Sequence, residues 1–172
     1  NITGELSANS YQGTNRNEVK ELAIGTNVTS IDNNTFQDCK ALEYVVMGNT
    51  IANTGISTFK DCSALTSITL SNTLTHIDDG AFRDCDALQS INIPNSVTHI
   101  GYRSFAQSTF QTFTVPDSVT SIGIEAFAFS YNLQSIQLSA SLISLGIQNF
   151  RDCSNLTTVY MTSTVASILG VS

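Results

Sequence analysis

The stretch I-N-I-P-N-S-V-T-H-I-G-Y-R-S-F, from Ile91 to Phe105, is echoed by V-P-D-S-V-T-S-I-G-I-E-A-F, from Val115 to Phe127. Working outward from these two, the same phenylalanine recurs at Phe36, Phe59, Phe82, Phe105, Phe127 and Phe150, in steps of 23, 23, 23, 22 and 23 residues. The one short step marks a single-residue deletion after Ser108. Self-similarity at a fixed period of this length is the signature of a repeat architecture.

Other columns keep phase with the phenylalanines. Three residues after each stand Cys39, Cys62, Cys85, Ser108, Ser130 and Cys153. Further apolar columns hold Leu42, Leu65, Leu88, Phe110, Leu133 and Leu156, then Val45, Ile68, Ile91, Phe113, Ile136 and Val159. Before each phenylalanine the pattern reads V-T-x-I, with Thr54 departing from the isoleucine column. The stretch L-x-x-I-x-I alternates apolar, β-branched residues, as a short half-buried strand requires. Pro94 and Pro116 follow it and end the strand, since proline cannot donate to a ladder. The spacing of A-F-x-x-C predicts one helical turn, too short to be stable alone. A single unit cannot bury its own apolar side, whereas stacked units place Phe on Phe and Ile on Ile in a continuous core.

These columns resemble the BspA-like class of leucine-rich repeats, over nearly all of residues 19–172. The resemblance implies an α/β repeat solenoid, β-dominated: a right-handed leucine-rich-repeat superhelix with a parallel strand ladder on its concave face and short helical turns elsewhere. It also implies a secreted or cell-surface protein engaged in adhesion, and it carries no shared catalytic motif. Residues 1–18 are expected to be a degenerate flank or partial first repeat. Residues 19–172 are expected to be tandem repeats cut at the C-terminus, with Val165 and Ile168 starting one more unit.

Composition narrows the partners. The charged fraction is 12%, and a net charge of −7 comes with only seven Lys and Arg. Nucleic acid and anionic membranes both call for clustered basic residues, so neither is an expected partner. No apolar run approaches the ~20 residues of a membrane span. No nucleophile elbow, phosphate loop or metal motif is present, so the chain is not expected to be an enzyme and no cofactor is implied.

The cysteine column lacks the paired spacing of a zinc site, and serine replaces it twice. It therefore reads as a buried small side chain with a weak hydrogen bond to the backbone. His76 and His99 hold equivalent positions in adjacent units and are expected to be surface neighbours without a third ligand. The column Asp38, Asp61, Asp84 and Asp152 sits beside Lys60, Arg83 and Arg151. It reads as caps or solvated carboxylates rather than a calcium ladder. Sequons stand at Asn1, Asn27, Asn33 and Asn155.

Outward strand positions form the candidate ligand face: Tyr44, Thr66, Thr69, Gln89, Asn92, Thr112, Thr114, Gln134, Gln137, Thr158 and Tyr160. Hydroxyls and amides with occasional tyrosine suit recognition of protein or glycan. The expected function is an extracellular adhesion module, with a structural spacer in a longer surface protein as the alternative. Cut solenoids lack polar caps, so end-to-end self-association is a further expectation.

Overall fold

A computed structural model of the chain describes residues 4–6 and 17–168. The repeat folds as a parallel β-solenoid of about six turns, with one phenylalanine unit per coil. The L-x-x-I-x-I stretches supply a first ladder: β2 (Glu21–Ile24), β4 (Tyr44–Met47) and β5 (Ser67–Thr69), then β8 (Thr112–Thr114), β10 (Ser135–Gln137) and β12 (Thr158–Tyr160). The V-T-x-I stretches supply a second: β6 (His76–Ile77), β7 (His99–Ile100), β9 (Ser121–Ile122) and β11 (Ser144–Leu145). Toward the N-terminus, β1 (Gly4–Leu6) pairs with β3 (Val28–Ile31). Every pairing is parallel, and each residue faces its equivalent one coil away: Tyr44 with Ser67, His76 with His99, Thr112 with Ser135. Of the stretch read as a degenerate flank, residues 1–3 and 7–16 lie outside the described residues, as do 169–172.

A single continuous first ladder was the expectation, and the structure interrupts it. β5 and β8 belong to separate three-stranded sheets, and the intervening coil, Gln89–Ile93, forms no strand. Among the described residues, no backbone hydrogen bond joins this segment to either neighbour. The second ladder nevertheless runs unbroken through the same coils, pairing His76, His99, Ser121 and Ser144 in turn. The deletion after Ser108 shortens one loop, and Thr109 Oγ1 spans the lost length by donating to Asp86 O (3.0 Å) and Leu88 O (3.2 Å). The next two columns then carry Phe110 and Phe113 where other coils hold Leu and Ile or Val. Their rings crowd Phe105 and Phe127 at 4.9 to 5.9 Å. These larger rings take up room that closer coil approach would need.

The phenylalanine segments are not helical turns. The residues two before and two after each Phe are left-handed, with φ of 50 to 63° from Asn34 and Asp38 to Gln148 and Asp152. The Phe amide between them is turned toward the next coil. Phe36 N–H donates to Thr58 O (3.0 Å), Phe59 to Ala81 (2.9 Å), Phe82 to Ser104 (2.9 Å) and Phe105 to Ala126 (2.9 Å). A four-residue spacing fits a helical turn and this pair of left-handed turns equally well, so the hydrophobic period does not separate them. The α-helix among the described residues, α1 (Ser163–Ile168), stands where another unit was expected to begin. Thr162 caps it, its hydroxyl accepting from Val165 N–H (3.2 Å). Val165 is still fully buried, as its column requires.

The core is the set of stacked columns. Phe36, Phe59, Phe82, Phe105 and Phe127 are 0 to 2% exposed. Successive rings lie 5.3, 5.5, 5.7, 5.6 and 6.3 Å apart out to Phe150, within 22° of parallel. Such offset stacking contributes about 0.5–1.5 kcal/mol per pair beyond burial itself. Coil contact requires glycine at Gly123, where a Cβ would lie 2.7 Å from the Gly101–Tyr102 backbone, and likewise at Gly146, where it would meet Ile124 N. Phe82→Ala removes a central ring and two stacking partners, and is expected to cost about 3–5 kcal/mol in urea unfolding.

Candidate binding face and its flanking columns

The face is assembled from residues that point away from the core because strand side chains alternate. Tyr44 and Thr69 are exposed on the β2–β4–β5 sheet. Thr112, Thr114, Gln137 and Tyr160 are exposed on the β8–β10–β12 sheet, with Thr158 half-buried. Register aligns Thr112, Ser135 and Thr158 in one row and Thr114, Gln137 and Tyr160 in the next. Thr66 and Gln134 flank these strands and are exposed, while Gln89 and Asn92 lie on the unladdered coil between the two sheets. The structure thus brings the expected residues to one side of the solenoid, in two groups separated by a break. Several are already engaged: Thr66 Oγ1 donates to Glu43 O (3.1 Å), and Gln137 Nε2 to Leu138 O (3.0 Å). Glu43, just before β4, pairs with Lys20 at 2.8 Å, and Glu21 is exposed on β2 opposite Tyr44. Val46 is 53% exposed beside Tyr44 and adds apolar area to the face.

At the break the surface opens into cavities that the repeat pattern did not announce. One of about 480 Å³ is lined by Asp86, Gln89, Thr109, Gln111, Thr112 and Asn132. Its neighbour, about 310 Å³, shares Asp86, Thr109 and Asn132 and adds Tyr131. Asp86, Thr109, Tyr131 and Asn132 were missed as candidates. The readable signal was the deletion beside them, together with Phe110 in a leucine column.

The cysteine column behaves as read. Cys62, Cys85 and Cys153 donate to Phe36 O, Phe59 O and Phe127 O at 3.1 to 3.2 Å. Ser130 makes the equivalent bond to Phe105 O at 3.4 Å and pairs with the Ser108 hydroxyl at 2.8 Å. Burial pushes the Cys62 and Cys85 thiols well above their ordinary range, which leaves them poor nucleophiles. His76 and His99 stack at 4.6 Å, and each Nδ1 meets the hydroxyl of the preceding threonine, at 2.9 and 2.7 Å. The aspartate column occupies the left-handed position after Phe36, Phe59, Phe82 and Phe150, which Asp tolerates better than most residues. Asp61, Asp84 and Asp152 pair with the cation immediately before them, at 3.4, 3.0 and 3.2 Å. Among the described residues, no three potential ligands converge on a metal position.

Two buried polar groups follow from departures in the pattern. Thr54, in the isoleucine column, is fully buried and bonds Asp78 Oδ2 (3.1 Å), which also accepts from Gly55 N–H (2.9 Å). Glu125 has a side chain 6% exposed, held by Arg103 from the preceding coil and by Arg151 at 3.6 Å from the next. The hydrogen bond from Arg103 is the main cause holding this carboxyl below its ordinary value of 4.5.

Stacked parallel coils define a repeat protein that presents a surface. The match to the BspA type leucine rich repeat region, in six copies over residues 5–132 and 53–170, places the chain in that family. Among solved structures it is similar to a leucine-rich repeat protein from Bacteroides ovatus: 29% identity, 80% of this chain, 39% of that one, TM-score 0.74. It is also similar to a leucine rich repeat protein from T. pallidum: 26% identity, 83% of this chain, 69% of that one, TM-score 0.79. A leucine rich cell surface protein from Faecalibacterium prausnitzii shares the fold: 21% identity, 90% of this chain, 35% of that one, TM-score 0.59. The chain thus spans well under half of the Bacteroides protein. No curated protein matches it by sequence.

Because the folded state depresses the Glu125 pKa, its contribution is present above the ordinary carboxylate value and is lost as pH falls through the depressed one. Glu125→Gln is therefore expected to lower the melting temperature at pH 7. The gap to wild type should close on acidification below about pH 4, as read by thermal unfolding across pH.

Proposed function

We propose that this chain is an adhesion module of a secreted or cell-surface protein, binding protein or glycan through the outward side chains of its first ladder. The family consists of repeat scaffolds that generally serve as interaction modules. The observation that carries the reading is the chemistry of the face. It presents hydroxyls and amides with Tyr44 at one end and Tyr160 at the other, and Glu43 is neutralised by Lys20. Such a surface recognises a ligand by shape and hydrogen bonding rather than by net charge.

The family's leucine-rich repeats support a concave shape for that face. A right-handed arc with the strands inside is the geometry we assign. An extracellular setting accords with the printed name of the Faecalibacterium protein and with exposed sequons at Asn27, Asn33 and Asn155.

The triple variant Thr69→Lys, Gln137→Lys and Tyr160→Lys is expected to reduce binding to immobilised extracellular-matrix proteins or intact cells at least tenfold, with the far-ultraviolet circular dichroism unchanged. Undiminished binding by the folded variant would move the role away from this face and toward a spacer.

A further inference from the structure

We propose that the break in the first ladder is a saccharide-binding cleft, formed between the coil carrying Gln89–Ile93 and the coil carrying Gln111–Pro116. It deepens the adhesion reading and rests on it, naming a saccharide as the ligand where Gln89 and Thr112 of that face meet Asp86, Thr109, Gln111 and Asn132.

The lining has the required chemistry. Asp86, Gln89, Thr109, Gln111, Thr112 and Asn132 surround a cavity of about 480 Å³, within the size range of small-molecule sites. Every one of them carries a hydroxyl, an amide or a carboxylate. Elsewhere in this solenoid comparable side chains are spent on the backbone of the next coil. Asn33 accepts from Ile56 N–H, Asn49 from Asn72, Asp79 from Tyr102 and Asp117 from Ala140. Around the cleft, the Asp86, Gln89, Gln111 and Asn132 side chains have no such partner among the described residues. They remain free to donate and accept, as the paired hydroxyls of a sugar ring demand.

An aromatic platform adjoins them. Tyr131 is 56% exposed and lines the adjacent cavity with Asp86, Thr109 and Asn132. A sugar offers an apolar C–H face as well as its hydroxyls, and a tyrosine ring offers an apolar face with a polar tip. Asp86 is the acidic side chain of the larger cavity, and the chain carries −7 overall. Both disfavour anionic sugars, so the ligand is a neutral saccharide.

An inserted peptide strand is the competing occupant, since Gln89–Ile93 leaves its backbone groups unpaired. Insertion would require about two strand spacings, near 9.6 Å, between the flanking coils. Those coils are pinned together behind the cleft. Phe82 and Phe105 remain 5.7 Å apart, and the His76–His99–Ser121 pairing is continuous. Coils held together on that side favour a ligand docking from outside over the insertion of another strand.

The test is an array of immobilised neutral oligosaccharides of hexoses and N-acetylhexosamines, followed by titration of the hit into isotope-labelled protein. Wild type is expected to be retained on the array. Asp86→Ala/Gln111→Ala and Tyr131→Ala are expected to lose at least tenfold in affinity, with their circular dichroism unchanged. The wild-type titration should shift the amides of Gln89–Ile93 and Gln111–Thr112, which decides the matter even if a variant misfolds. Retention of no saccharide, equal retention by folded cleft variants, or shifts confined to β4, β5, β10 and β12 would overturn the proposal. Displacement of the sugar's shifts by a peptide library alone would equally overturn it, in favour of a protein ligand.

Discussion

Six phenylalanine rings, each 5.3 to 6.3 Å from the next, set the pitch to which every other column conforms. The rings are large, nearly parallel and almost wholly buried from Phe36 to Phe127, so shifting one coil against the next would cost contacts along both neighbouring columns. The backbone reinforces this on the same side. Left-handed residues flank each ring, and the amides of Phe36, Phe59, Phe82 and Phe105 donate to a carbonyl of the following coil. In the strands donation runs both ways, with the Thr66 and Ser67 amides reaching back to Glu43 O and Leu138 N–H reaching forward to Tyr160 O. Each coil is therefore bonded to its neighbours on two sides, through its phenylalanine segment and through its strand. One side can loosen while the other still holds the stack, and this is what happens at Gln89–Ile93.

The same pitch explains how polar residues enter the interior. A group buried in a column finds its partner one coil away, as Thr54 does in Asp78 and Glu125 in Arg103 and Arg151. Asn149 takes a column held elsewhere by Thr, Ala or Ser. It bonds Ala126 N–H, Gly123 O and Gly146 O, standing in for ladder bonds with its own amide. Buried polarity survives here because the repeat supplies a partner at a fixed distance.

Column assignments were legible in the sequence because burial is periodic, and Phe36 to Phe150, the thiol column and the His76–His99 pair all fell where the spacing placed them. The outward face was legible for the same reason: strand alternation decides which side chains leave the core. The left-handed turns were not legible from apolar spacing, since the sign of φ leaves no trace in hydrophobicity. Asp two residues after four of the six phenylalanines was the available clue, and that column was read as caps or solvated groups. The ladder break was hidden because a shortened loop leaves the order of columns intact. Only the bulk of Phe110 and Phe113, in columns of smaller residues, hinted that two coils would part.

Amide hydrogen exchange, followed residue by residue in the native protein, tests this account most directly. The Phe59, Phe82 and Phe105 amides and the Ser67 amide should exchange slowly, while Gln89, Ser90, Ile91, Asn92 and Ile93 between them exchange quickly. Protection of Gln89–Ile93 equal to that of Ser67, or fast exchange at the phenylalanine amides, would contradict a stack held on its ring side and open on its strand side.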